Sequence, residues 1–372
     1  MPNAGPHAGS RSTAPDVGII TTGHDVADAR LHKITAALHH RGLSVELWGL
    51  GEAEGGPVGA VVHAGPRGNL VQRMARTAVL PWRTKAKVVM TVDPDMIPVT
   101  RLVTSLRRRK MVADVHEDYD LLLADRAWAR GPAGLPARLI VRAGSKLAAG
   151  ADLTVVADSH LAPHEAKRRL VVQNLPYVPF LAPTPPWGQP RAVYIGDLRA
   201  SRGLFDMVET VAAAPDWSLD LVGPVAPSDW DQLQARIEQS DLAGRVRLHG
   251  RQPPADAWRL TQGAWAGLAM LQPTPAFVEA MPSKIYEYLA SGLPVLSTRL
   301  PRQTRVIEES GGGVLVDSVA EASEILQRWS ADPGELEKLR DHALQWAADH
   351  LPATTPYDEL ADAILNLLRG SA

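Results

Sequence analysis

The residues best suited to chemistry lie in 279–298, EAMPSKIYEYLASGLPVLST, which holds one lysine, Lys284, and two carboxylates, Glu279 and Glu287. Pro282 and Ser283 suit a helix start: proline fits the first turn, and a serine oxygen can accept from an unpaired backbone N–H. Residues 284–291 are good helix formers, Gly292 supplies a left-handed stop, and Pro294 cannot continue a helix. Ile285 and Leu289, four apart, make an inward stripe, whereas Lys284 and Glu287, three apart, share another face. The start of a helix attracts phosphate through its unpaired N–H groups and its dipole, and a lysine there adds a full positive charge. A glutamate one turn deeper can accept two hydroxyl hydrogen bonds, as a ribose diol offers. Diphosphate at the mouth with ribose alongside would make a nucleotide-sugar site. The same spacing also fits an ordinary amphipathic helix with an ion pair on a wet face, and spacing alone leaves both readings open.

The elements that must position these groups can be read along the chain. Residues 16–22 are apolar and β-branched, Gly23 follows, Leu31, Ile34 and Leu38 recur at helical spacing, and 45–50 is a second strand. Strand, glycine turn, helix, strand opens a doubly wound α/β domain. Its first turn has one glycine where dinucleotide fingerprints have three, so it is not read as a nicotinamide site. Further strands are expected at 88–92, 111–115 and 171–174, and 150–159 reads as a strand with a cap. Residues 175–190, with six prolines and no periodic pattern, read as a linker. A second strand–turn–helix begins at 192–196, with the turn at 197–203. Strands at 219–223, 246–250 and 265–271, with a helix at 229–240, lead to the stretch at 279–298, and 311–315 closes the domain.

The expected organisation is therefore a flexible tail (1–15), an α/β domain (16–174), the linker (175–190), a second α/β domain (191–353) and a terminal helix (354–372).

Composition narrows the function. A chain of 372 residues exceeds the size one core usually serves, so two domains are the prior. The net charge of −2, with scattered Lys and Arg, argues against a nucleic-acid binder. Arg107-Arg108-Arg109-Lys110 is the one basic run: it reads as a solvated helix end, with attraction to a membrane surface as the alternative. The absence of cysteine rules out disulfides and thiolate chemistry and fits a reducing compartment. No run approaches ~20 apolar residues, and residues 1–15 lack the apolar core of a signal peptide. A cytosolic location, with peripheral contact to the inner face of a membrane as an option, is the expectation.

The stretch at 279–298 resembles the donor-site signature of retaining GT-B glycosyltransferases of family 4 (glycosyl transferases group 1). In these, two glutamates separated by seven residues precede an A-x-G-x-P-V run. Glu279 and Glu287 have that separation, and 290–295 supply the run. The resemblance implies two Rossmann-like domains with parallel sheets facing across a cleft, the nucleotide-diphosphate sugar held by the second and a hydroxyl acceptor by the first. It implies transfer with retention of configuration, no metal and no other cofactor. Glu279 then positions the sugar and Glu287 the ribose. Lys284, with Pro282, Ser283 and Ile285 at the helix start, receives the diphosphate.

Residues 196–203, GDLRASRG, are similar to the family's G-R-x-x-x-x-K-G loop, whose two cations clamp the diphosphate. Gly196 matches, and Arg202 stands at the lysine position. Asp197 reverses the charge at the arginine position, and Arg199 is the nearest substitute. His116, after the strand at 111–115, resembles the family histidine that faces the transferred sugar. Gly23, His24 and Asp28, in the first loop, border the acceptor or the donor phosphates in such proteins, although turn and capping chemistry explains them equally well. Asp93-Pro94-Asp95 after a strand has the form of the metal signature of GT-A glycosyltransferases. It is set aside here because those enzymes lack the later glutamate pair. Two other readings fit the same fold: a sugar-nucleotide epimerase, and a catalytically inactive binding subunit in which Asp197 has removed a phosphate contact.

Overall fold

The computed structural model describes residues 14–115, 134–274, 277–278, 283–352 and 354–370. Its contacts divide the chain into two units, residues 1–173 with 357–372 and residues 174–356.

The first unit is built on seven strands: β1 (Val17–Asp25), β2 (Val45–Leu50), β3 (Ala60–Gly65), β4 (Val88–Thr91), β5 (Lys110–Val115), β6 (Leu153–Val156) and β7 (Arg169–Val171). They lie in the order β3-β2-β1-β4-β5-β6-β7, and every pairing is parallel. Such a sheet is covered by helices on both faces, which explains why Val17, Ile19, Ile20, Val88, Met90 and Val112 are all buried. The order reverses between β1 and β4, the place where an open α/β sheet leaves room for ligands beyond its strand ends.

Two of the parts of this unit that were not predicted bear on its surface. Strand β3 is only half-buried, so its pattern is weak. The helix Leu70–Arg83 begins with a reciprocal cap: the Asn69 side chain accepts from Gln72 N at 3.0 Å, and the Gln72 side chain accepts from Asn69 N at 3.0 Å.

The last helix, Pro356–Arg369, packs with the first unit. Tyr357, Leu360, Ile364 and Leu367 are buried. Arg41, just beyond the helix Ala29–His40, donates to Asp362 at 2.8 and 3.1 Å and to Asp358 at 3.2 Å.

The second unit carries β8 (Arg191–Ile195), β9 (Ser218–Val222), β10 (Val246–Gly250), β11 (Ala266–Ala269), β12 (Val295–Thr298) and β13 (Gly313–Val316). Their order is β10-β9-β8-β11-β12-β13, again all parallel, with the reversal between β8 and β11. Residues 175–190, read as a linker, group with this unit, and Trp187 lies against Gly263, where a Cβ would come within 2.2 Å of its ring. Among the described residues, no helix is long and apolar enough to cross a membrane.

Candidate functional site

In the second unit the helix Ser283–Ala290 forms where the sequence places it, and Gly292 takes the left-handed conformation at φ +65°. What fixes this helix is Tyr288. Its ring fills the space left by Gly267 on β11, where a Cβ would come within 2.6 Å. Its hydroxyl accepts from Ile195 N at 3.2 Å and donates to Val193 O at 3.3 Å, bridging to β8. Trp258 packs edge-on against it, with ring centroids 5.6 Å apart. Ile285 and Leu289 are buried in the same core, so Ile285 can offer a ligand only its backbone N–H. The helix start is thereby locked beside the turn that leaves β8.

That turn is shaped by close backbone approach. Gly196 has φ +142°, and a Cβ there would lie 2.8 Å from Lys284 Nζ. Gly223, after β9, has φ +144°, and a Cβ there would meet Gly196 O at 2.0 Å. Gly203, at φ +78°, opens the helix Leu204–Ala212, and its own Cβ would strike Met270 O at 1.9 Å. Glycine is obligatory at such positions.

Lys284 and Arg202 meet at this turn. Lys284 is partly buried, and its Nζ sits 3.4 Å from the centre of the Tyr194 ring, a cation–π contact. Burial and the neighbouring Arg202 guanidinium push the Lys284 pKa well down, against the weaker pull of Glu287 and Asp197. Burial also pushes the Tyr194 hydroxyl up to about 12, so it stays a neutral donor, bonded to Asp197 O at 3.1 Å. Arg202 lies 5.4 Å from the Phe277 ring, and its Nε is buried without a hydrogen-bond partner among the described residues. Glu287, one turn into the helix, is buried. Two basic groups are thus drawn together, one with its charged form disfavoured and the other with an unused buried donor, an arrangement that an anion would relieve.

Arg199 does not join them. Its guanidinium pairs with the Asp197 carboxylate at 3.0 Å, and both side chains are largely exposed. Ser283 is the first residue of the helix. Three expected residues, His116, Glu279 and Pro282, lie outside the described residues.

In the first unit the loop after β4 closes on the loop of β1. Asp93 Oδ2 accepts from Thr21 Oγ1 at 2.7 Å, Thr22 N at 2.6 Å and Gly23 N at 3.0 Å. His24 stands between Asp28 at 3.7 Å and Asp93 at 3.6 Å. Asp28 also caps the helix Ala29–His40, accepting from Arg30 N at 2.8 Å. Asp95 pairs with Arg73 at 3.0 Å, so both carboxylates of the Asp-Pro-Asp run hold protein groups. Among the described residues no three His, Asp or Glu gather in a metal-binding cluster. The sequence reading missed Tyr194 and Tyr288. The Tyr in V-Y-I-G just before Gly196 was the available signal for the first, since its ring must face whatever lies over that turn.

Residues 183–346 match the family described as glycosyl transferases group 1. No curated protein matches the chain as a sequence. Sucrose-phosphate synthase from Thermosynechococcus elongatus superimposes with a TM-score of 0.63 at 15% identity, over 96% of this chain and 100% of that one. Anabaena Alr3699/HepE in complex with UDP and glucose gives 0.62 at 15% identity, over 95% and 100%. WaaG, a glycosyltransferase involved in lipopolysaccharide biosynthesis, gives 0.61 at 14%, over 94% and 99%. These likenesses show the fold: two parallel-sheet, Rossmann-like units of the GT-B type.

Proposed function

We propose that the protein is a glycosyltransferase that moves a sugar from a nucleotide-diphosphate donor to an acceptor hydroxyl, with retention of anomeric configuration and without a metal. The observation that carries this reading is the pair Lys284 and Arg202 at the start of the helix Ser283–Ala290 and the Gly196 turn. Positive charge fixed in advance at the point where a leaving diphosphate gains negative charge is the most productive form of electrostatic catalysis. Two cations and a helix start supply what a divalent ion would otherwise supply.

Buried Glu287 suits the ribose diol. Glu279 and His116 are assigned to the transferred sugar by the family resemblance, and Gly23, His24 and Asp28 to the acceptor side. The Arg199–Asp197 pair leaves Arg202 as the principal partner of Lys284 at this turn, and it places a carboxylate beside the anion, which selects against donors carrying extra negative charge there. The acceptor is a hydroxyl-bearing lipid, glycan or small molecule.

The test is slow donor hydrolysis, which needs no acceptor. The purified chain is offered UDP-, GDP-, ADP- and dTDP-sugars and the released nucleoside diphosphate is measured. UDP-glucose comes first, because a structure of the same fold, Alr3699/HepE, holds it. At least one donor is expected to turn over without added metal and in the presence of chelator. A protein that neither hydrolyses a donor nor binds a nucleoside diphosphate would refute the proposal.

A further inference from the structure

The helix Leu70–Arg83 is built inside out. Helices on a sheet normally turn their apolar stripe inward, yet here only Thr77, Leu80 and Pro81 are buried. Arg73 and Arg76 lie on the partly buried side, where Arg73 pairs with Asp95 and Arg76 donates to Pro66 O at 2.7 Å. The outward side is apolar: Leu70 and Val71 are each 73% exposed, Met74 65%, Val79 43% and Trp82 42%. The helix has its own reciprocal cap, so the exposed stripe belongs to an ordered element about 21 Å long. The neighbouring helix Ile97–Leu106 continues the pattern with exposed Leu102 and Leu106.

The charge around this stripe is mostly positive. Residues 66–113 hold eleven Lys and Arg against two acids, Asp93 and Asp95, both engaged with protein groups, in a chain whose totals are 39 and 41. Arg83, Lys85, Arg107 and Arg108 are exposed, and none has an acidic partner among the described residues. Arg107 lies over the Trp82 ring at 5.1 Å and donates to Trp82 O at 2.9 Å, which joins the basic run to the apolar stripe.

We infer that this face of the first unit docks on an anionic lipid bilayer, with the Val71, Met74 and Trp82 side of the helix in the headgroup boundary and the Arg83–Lys85 and Arg107–Arg108 groups on the lipid phosphates. Other partners fit less well. Two copies meeting through the same face would set these cations against each other, since a two-fold contact pairs a patch with itself. A nucleic acid would satisfy the cations but leave the aliphatic stripe in water. A bilayer with acidic headgroups takes both: hydrocarbon for the stripe, phosphate for the rim, and an interface where Trp is favoured. No residue of the donor site belongs to this face, and docking there is independent of the proposed transfer.

The experiment is co-sedimentation of the full chain with phosphatidylcholine vesicles, alone or mixed with phosphatidylglycerol. Binding to the mixed vesicles is expected, with little to phosphatidylcholine alone, and about 1 M salt should release most of it because charges are then screened within ~3 Å. Arg83→Gln with Arg108→Gln should bind about 30-fold more weakly, at roughly fivefold per cation. Val71→Ser with Met74→Ser should lose at least about tenfold, from apolar surface no longer buried. All four positions are exposed, so the folded state is expected to survive, as circular dichroism melts would check, and nucleoside diphosphate binding should not change. A wild-type chain that stays in the supernatant with acidic vesicles would overturn the inference, as would both double variants pelleting like wild type. So would a chain that ignores vesicles but is a dimer that Val71→Ser with Met74→Ser converts to monomer, because the face would then join two copies.

Discussion

Lys284→Met is expected to weaken nucleoside diphosphate binding and donor hydrolysis by about 100-fold or more, the usual cost of removing one preorganised group from a developing anion, while making the empty protein more stable. The two effects have one cause. In the empty site Lys284 is driven toward its neutral form by burial and by Arg202. A bound diphosphate reverses that drive, so the charge that strengthens binding is a burden without ligand. Replacing a confined charge by an apolar side chain of similar length should stabilise by about 1 kcal/mol.

The direction with pH follows from linkage. The folded pKa lies below the unfolded value of 10.5, so between the two the unfolded chain holds a proton that the folded chain has released. Wild-type stability therefore rises with pH across that window. The advantage of the methionine variant is full below the folded pKa and fades as pH approaches 10.5. Ligand binding runs the other way: it takes up a proton, so affinity falls as pH rises through the empty-state pKa, and the slope should vanish in the variant. Melting curves with and without UDP across pH measure both. A variant that binds UDP like wild type would remove Lys284 from the phosphate site.

The second large effect is on stability. Arg30, on the helix Ala29–His40, donates to both oxygens of Asp114 on β5 at 2.8 Å and to Val172 O at 3.0 Å. Both side chains are nearly sealed from water. Burial alone would weaken the Arg30 charge, but the carboxylate beside it holds the guanidinium firmly protonated. Breaking such a pair strands the other charge, so Arg30→Ala should cost about 3–5 kcal/mol, whereas Arg30→Met with Asp114→Leu should recover most of the loss. Tyr357, whose ring centre is 6.0 Å from the guanidinium, ties the last helix to the same spot, so that helix should loosen too. Urea unfolding followed by far-ultraviolet circular dichroism would show the ordering: Arg30→Ala least stable, the double variant near wild type. Equal losses in both would mean that packing, not charge, governs the site.

How far the sequence could be read depended on whether a signal was local. The helix at 283–290 announces itself through its start, its glycine stop and its stripe, and β2 and β10 have the bounds that their apolar runs predict. The parallel sheets followed from strands alternating with helices and turns. Long-range pairing was not legible. Asp93 looked like half of a metal motif, yet its oxygen gathers Thr21, Thr22 and Gly23 from a strand some seventy residues earlier. Arg199 looked like a phosphate partner, and only its approach to Asp197 shows the charge already engaged. The helix Leu70–Arg83 escaped notice because its apolar positions recur at helical spacing without a buried surface to face, so periodicity could not say which side was outside. The aromatic seat of Lys284 combines Tyr194 with a residue ninety positions away, a pairing no local pattern encodes.

That seat has a chemical consequence. Burial and the Arg202 guanidinium draw Lys284 toward the free amine, the nucleophilic form of a lysine, with Glu287 and Asp197 pulling weakly the other way. Occupancy by a polyanion would favour the ammonium form and lower that reactivity, so the empty and the occupied site would differ in how readily this amine reacts.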